Sequence, residues 1–285
     1  MLPLMALWLV VGIGVFVVNG YNEFRSILEV TWGRSKSLKS LLKLLNSNLP
    51  LIGVVIMEKF EQVILGKLPI LQSKYQLAKD NSEFYGIAYS SFSDKLSIDT
   101  FTNLPFLESK HLSEHGKNML IDVSKCYYVF SSGGSTGSPK FIFLSKYELH
   151  RNSYFHGLAY KACGIGSRDR VGIFGIPGHL NSEFTVYLGL EHTDCFIIPI
   201  GTYGNLQLIV EYIKHFQINT LVVLPSDIIP LTSYVDDSGI SLGIDKLITG
   251  GEPLYKPMED YISNKLGVMK FGSTYQIMDC GTIGY

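Results

Sequence analysis

The chain has 285 residues, a net charge of −1 and 17% charged side chains, against about 25% in typical soluble proteins. That length suits one large domain or two smaller ones, and the lack of a basic stripe excludes nucleic acid as a partner. Cys126, Cys163, Cys195 and Cys280 are widely spaced with no C-x-x-C pair, which excludes a disulfide framework or zinc signature and reads as free thiols in a reducing compartment.

Met1 to Val18 carries no charged side chain and ends at Asn19-Gly20, a stretch with the length of a membrane span. Arg25, Arg34, Lys36, Lys39 and Lys43 follow it. The positive-inside tendency then predicts residues 1–20 as an anchor, with membrane contact through residues 1–18 and a cytoplasmic body on the inner face. Pro3, Gly12 and Gly14 weaken such a helix, and a buried helix is the alternative. Residues 21–125 read as a helical and mixed region. Leucines recur at helical spacing over Ser35–Leu45, Val54–Ile64 is a second helix, and Leu68–Leu71 is a short extended piece. Residues 84–125 hold turn clusters at Ser90–Asp94 and His115–Asn118 and give no firm elements.

From residue 126 to 285 the pattern alternates. Strands are predicted at 127–130, 141–144, 170–174, 195–200, 220–224, 246–249 and 268–271. Helices fall near 146–162, 182–191, 205–216, 226–235 and 256–266, with Ser226 as an N-cap. Alternation of this kind predicts an α/β fold, a mixed or parallel sheet flanked by helices, with ligands at the carboxyl ends of strands.

Three motifs carry chemistry. Ser131-Ser132-Gly133-Gly134-Ser135-Thr136-Gly137-Ser138-Pro139-Lys140 lies between two apolar strands. Glycines let backbone N–H groups approach an anion, hydroxyls add donors and lysine adds charge, which suits a phosphate loop. A Walker A loop is excluded, because Pro139 precedes the lysine and Phe141 stands where a Mg²⁺-binding hydroxyl is needed. A Gly/Ser hairpin without a ligand is the plain alternative. Second, Leu247-Ile248-Thr249-Gly250-Gly251-Glu252-Pro253-Leu254 is a strand ending in two glycines and an acid, suited to a flat ligand or to an ordinary turn. Third, in Val268–Tyr285 a strand leads to Tyr275, whose ring suits base stacking, and to Asp279, whose carboxylate suits Mg²⁺.

In this order and spacing the motifs resemble the acyl-activating, adenylate-forming (AMP-binding) enzymes, in their phenylacetate–CoA ligase-like branch. The resemblance covers residues 65 to 285 and includes Ile173–Asn181, similar to a segment beside the acyl pocket, and the strand–Pro–Ser junction Leu221–Ser226. It implies a ligase that activates a small-molecule carboxylic acid with ATP to an acyl-adenylate, for transfer to a thiol such as coenzyme A. Ser131, Ser132, Gly133, Gly134, Ser135, Thr136 and Gly137 would hold the outer phosphates, with charge from Lys140. Gly250, Gly251 and Glu252 would line the adenine, with Tyr275 against its face. Asp279 would bind Mg²⁺, and His179 would sit near the substrate carboxylate.

Two departures from the family pattern stand out. In Tyr275–Asp279, Gln276 replaces a glycine, Met278 replaces a phosphate-touching threonine and Asp279 replaces glutamate. The sequence given ends at Tyr285, whereas family members continue into a C-terminal domain with a catalytic lysine. The resemblance therefore implies the N-terminal core, as a fragment, a split gene or a decayed one. A separate C-terminal chain becomes an expected partner, and poor adenylation by this chain alone is expected. A non-catalytic nucleotide-binding remnant or scaffold, and a component of an acyl-protein ligase, are the rival readings.

Overall fold

The computed structural model describes residues 50–131, 140–176, 181–201, 204–277 and 280–285. The anchor reading of residues 1–20, the helix at Ser35–Leu45, and Ser132–Pro139, His179, Met278 and Asp279 lie outside the described residues. Among the described residues, no helix is long and apolar enough to cross a membrane. The chain divides into two units, one of Met1–Cys126 with Thr136–Phe141, the other of Tyr127–Ser135 with Ile142–Tyr285.

Over residues 50–126 the first unit is mainly helical. Helix α1 (Pro50–Asn81) runs through Pro69, so the extended piece expected at Leu68–Leu71 is instead helix. A proline costs a helix one backbone hydrogen bond, and here flanking turns outweigh that local signal. Side chains of α1 then organise the stretch that lacked firm elements. Gln72 pins a turn from both sides, its Nε2 donating to Asp94 O at 2.8 Å and its Oε1 accepting from Leu96 N at 2.6 Å. Tyr75 donates to Ser93 O at 3.0 Å and stacks on Tyr89 at 5.3 Å. Helices α2 (Glu83–Ala88) and α3 (Ile98–Asn103) start at Ser82 and Ser97, whose side chains accept from Tyr85 N and Thr100 N. Helix α4 (Ser109–His115) follows, and buried Phe101 and Leu104 complete this core.

In the second unit, strands β1 (Tyr128–Ser131) and β2 (Phe141–Leu144) pair as a two-stranded sheet. Helix α5 (Lys146–Ala162) opens with a capping box, Glu148 N donating to Ser145 Oγ and Ser145 N to Glu148 Oε2. The chain then alternates through β3 (Arg170–Phe174), α6 (Asn181–Glu191), β4 (Phe196–Gly201), α7 (Leu206–Phe216), β5 (Thr220–Val223), α8 (Pro225–Asp237), β6 (Lys246–Gly250), α9 (Lys256–Leu266), β7 (Lys270–Ile277) and β8 (Gly281–Gly284). Phe184 of α6 lies 5.5 Å from Phe130 and 5.8 Å from Tyr128, which rests β1 on α6.

The six-stranded sheet has the order β4-β3-β5-β6-β7-β8. The first five strands are parallel, and β8 is antiparallel to β7. Parallel strands buried on both faces need no polar alternation, and every residue of β5 is buried. On one face Leu221, Val223 and Leu247 meet Ile209, Ile213, Ile228, Leu231, Ile262 and Leu266 of α7, α8 and α9. On the other, Val171, Ile173, Val222 and Ile248 meet Tyr160 of α5 and Val186 and Leu190 of α6. Below the strands' amino ends, Lys246 Nζ reaches both Asp169 carboxylate oxygens at 2.8 Å and Gly164 O at 2.6 Å. Gly166 N donates to the same carboxylate at 2.7 Å, and Thr220 Oγ1 donates at 3.3 Å.

Candidate active site at the carboxyl ends of the strands

The chain leaves β3 toward β4 on one side and returns to β5 on the other, so the direction of winding switches between β3 and β5. In open α/β sheets a crevice forms outside the carboxyl ends at such a switch. Four of the sequence-predicted residues stand toward the carboxyl ends of β6 and β7, one and two strands beyond β5. Gly250 ends β6 opposite Thr274 of β7, Gly251 and Glu252 follow, and Tyr275 stands next on β7, half exposed.

The glycine pair is tightly enclosed. A Cβ on Gly250 would lie 2.8 Å from Thr274 Oγ1 and 3.2 Å from its carbonyl oxygen. Gly251 adopts φ +76°, a conformation that L residues rarely take. The result is a ribbon without side chains at the end of β6, half-buried at Gly250 and exposed at Gly251.

Glu252 turns away from that ribbon to the start of α8. Its Oε2 accepts from Ser226 N and its Oε1 from Ser226 Oγ, each at 2.9 Å. This corrects the reading of Ser226 as N-cap. Leu224 holds the cap position and its side chain makes no cap hydrogen bond. Asp227 follows in the same turn. It lies against the backbone of Gly175, where a Cβ would come within 3.0 Å of its side chain. Burial raises the Asp227 pKa above the usual carboxylate value, and the nearby Glu252 charge raises it further.

Beneath β7 and β8 sits His156 of α5, 1% exposed. Its Nδ1 is 3.1 Å from Thr282 Oγ1 and its ring meets Tyr160 edge-on at 4.4 Å. Burial pushes its pKa down to about 4. The Gln276 side chain approaches and offsets part of that shift, but Nε2 has no partner of hydrogen-bonding geometry among the described residues. Sequence reasoning missed Asp227 and His156, and took in Gly175 only as part of Ile173–Asn181. A lone acid behind Pro-Ser and a lone histidine within a helix carry no local pattern that marks them.

Ser131 is the last residue of β1, and Lys140 directly precedes β2, each half-buried. They flank the predicted phosphate loop, whose residues 132–139 lie outside the described structure. Among the described residues no cluster of His, Cys, Asp and Glu is suited to holding a metal ion.

The fold is that of the large N-terminal domain of adenylate-forming ligases. The chain is similar to the open conformation of 2-hydroxyisobutyryl-CoA ligase in complex with 2-HIB-AMP and CoA, with a TM-score of 0.67 and 17% identity over 78% of this chain and 51% of that one. It is also similar to that ligase in its thioesterification state, with a TM-score of 0.65 and 18% identity over 77% and 49% of the two chains. The chain thus spans about half the length of the solved structures it matches. No protein-family model matches the sequence, and a search of curated proteins finds no match.

Proposed function

We propose that this chain is the nucleotide-binding core of an AMP-forming ligase that activates a small carboxylic acid. The observation that carries this reading is the shared fold with a ligase seen holding an acyl-AMP and CoA. The side-chain-free ribbon Gly250–Gly251, at the carboxyl end of β6 beside Tyr275, suits a flat adenine. A carboxylate oxygen attacks the α-phosphate of ATP, giving acyl-adenylate and pyrophosphate, and a thiol such as coenzyme A then takes the acyl group. Catalysis of the first step needs alignment of the attacking oxygen and donors for phosphate charge. In this reading Ser131 to Gly137 and Lys140 serve the outer phosphates, and Tyr275 stacks on the base. The resemblance would put His179 near the acid and would have Asp279 hold Mg²⁺, which would neutralise phosphate charge. Gln276 and Met278, which stand where the family pattern has a glycine and a phosphate-touching threonine, favour a second reading, nucleotide binding without adenylation.

Calorimetric titration with ATP and AMP, followed by pyrophosphate exchange over a panel of small aliphatic, hydroxy and aryl acids, tests both readings. Acid-dependent exchange supports the ligase, and nucleotide binding with no exchange for any acid supports the second reading. A folded chain that binds neither nucleotide overturns both. Lys140→Ala is expected to weaken ATP by about 1–3 kcal/mol, the scale of a charge-assisted hydrogen bond. AMP, which lacks the outer phosphates, is expected to bind the variant and the wild type alike.

A further inference from the structure

Helix α8 opens with a defect that another part of the chain repairs. The first N–H groups of a helix need acceptors from outside it, and Leu224 at the cap offers none from its side chain. The acceptor comes from 26 residues away, as the Glu252 carboxylate on Ser226 N and Oγ. A negative charge at that end also suits the helix dipole. The residue that closes this bridge directly follows the glycine pair. A Cβ on Gly251 would sit 3.3 Å from Leu224 Cδ2, and one on Gly250 would sit 2.8 Å from Thr274 Oγ1. The ribbon thus pairs with β7 at one end, leaves little room for a side chain beside Leu224 in its middle and is tied to Ser226 at its far end.

We infer that Glu252 is a positioning residue, which fixes the Gly250–Gly251 ribbon by tying it to the start of α8 and does not itself touch the nucleobase. The inference rests on the proposed nucleotide reading for what the ribbon holds, while the tie itself stands on the geometry. Each Glu252 carboxylate oxygen accepts a hydrogen bond from Ser226, which orients the group toward the start of α8.

The experiment uses the full chain and the variants Glu252→Ala, Glu252→Gln, Ser226→Ala and the double alanine variant. AMP and GMP affinities are measured by calorimetry, and amide hydrogen exchange is followed at residues 226 and 250–252. Glu252→Ala is expected to weaken AMP roughly 3- to 30-fold, the range for losing a helix cap. Ser226→Ala moves affinity the same way by a smaller factor and adds nothing in the double variant, and Glu252→Gln recovers part of the loss. The AMP-to-GMP ratio stays constant throughout, and exchange speeds up at the ribbon in both single alanine variants. A changed AMP-to-GMP ratio in Glu252→Ala, or a loss there that Ser226→Ala does not share, overturns the inference in favour of direct base contact. If the wild type binds no AMP, the nucleotide reading fails, and exchange alone then decides the tie. Unchanged exchange at 250–252 in Glu252→Ala sinks it.

Discussion

At its amino end the six-stranded sheet closes on a buried ion pair, whereas its carboxyl end carries glycines and a carboxylate that, among the described residues, has no cationic partner. Asp169 collects Lys246, the Gly166 amide and the Thr220 hydroxyl on two oxygens. Asp227, at the other end of the same strands, faces Glu252 and has its pKa raised by burial and by that like charge. A satisfied buried charge makes a rigid floor. A carboxylate disfavoured by burial and a like charge costs free energy instead. The contrast teaches that a compensated charge and an uncompensated one sit at opposite ends of one sheet, the second at the end proposed to bind, and each prediction below tests one side of it.

The largest effect is expected at the floor. The Lys246 and Asp169 side chains are 16% and 6% exposed, so Lys246→Ala leaves a buried carboxylate without its cation. Breaking such a pair typically costs about 3–5 kcal/mol. Denaturant unfolding checks this, and a loss no larger than that of an ordinary surface substitution would show that the network contributes little.

His156 gives the next effect. Its folded pKa is depressed from 6.5 to about 4, so the native state keeps the ring neutral while the unfolded chain takes a proton. Stability is therefore full above pH 6.5 and lost as pH falls from there toward 4. The loss amounts to roughly 3 kcal/mol at about 1.4 kcal/mol per unit. His156→Gln should flatten that part of the profile of stability against pH. An unchanged slope between those values would assign the acid sensitivity to other groups.

Gly250→Ala comes third and reports on the carboxyl end. The new Cβ meets Thr274 Oγ1 at 2.8 Å, an overpacking of the kind that costs about 1–3 kcal/mol. Made in a Thr274→Ala background the same change should cost less, because only the carbonyl oxygen at 3.2 Å then resists. Additive losses in the double variant would mean that the ribbon yields elsewhere.

Much of this sheet was legible in the sequence because its strands are short β-branched runs between helices. Phe141–Leu144, Arg170–Phe174, Lys146–Ala162 and Lys256–Leu266 stand where the pattern placed them. Local pattern failed where distant contacts decide. Strand β7 extends to Ile277 and pairs with β8, which glycine-rich sequence did not suggest. Pro69 stays inside a helix. Of the candidate site, Gly250, Gly251, Glu252 and Tyr275 were read together; Gly250 pairs with Thr274, the residue before Tyr275, while the Glu252 carboxylate turns to Ser226. The partner of Glu252 was not readable, because Ser226 lies 26 residues away and looked sufficient as a cap by itself. The His156–Thr282 contact spans 126 residues and leaves no trace in either segment.

Asp227 gives the smallest effect and the one opposite in sign to His156. A carboxyl whose folded pKa is raised binds its proton more tightly in the native state than in the unfolded chain. Its contribution to stability therefore falls as pH rises from the unfolded value of 3.8 through the raised one, and is constant above that. Asp227→Asn removes the buried charge and its repulsion with Glu252 while keeping the shape that lies against Gly175. The variant should thus be modestly more stable than the wild type at pH 7, and the difference should shrink on acidification. His156→Gln should show its largest gain over the wild type at low pH instead, so two unfolding series against pH separate the two groups. Asp227→Asn less stable than the wild type at pH 7 would mean that the carboxylate has a cationic or hydrogen-bonding partner at the crevice. The carboxyl end would then be as fully compensated as the floor.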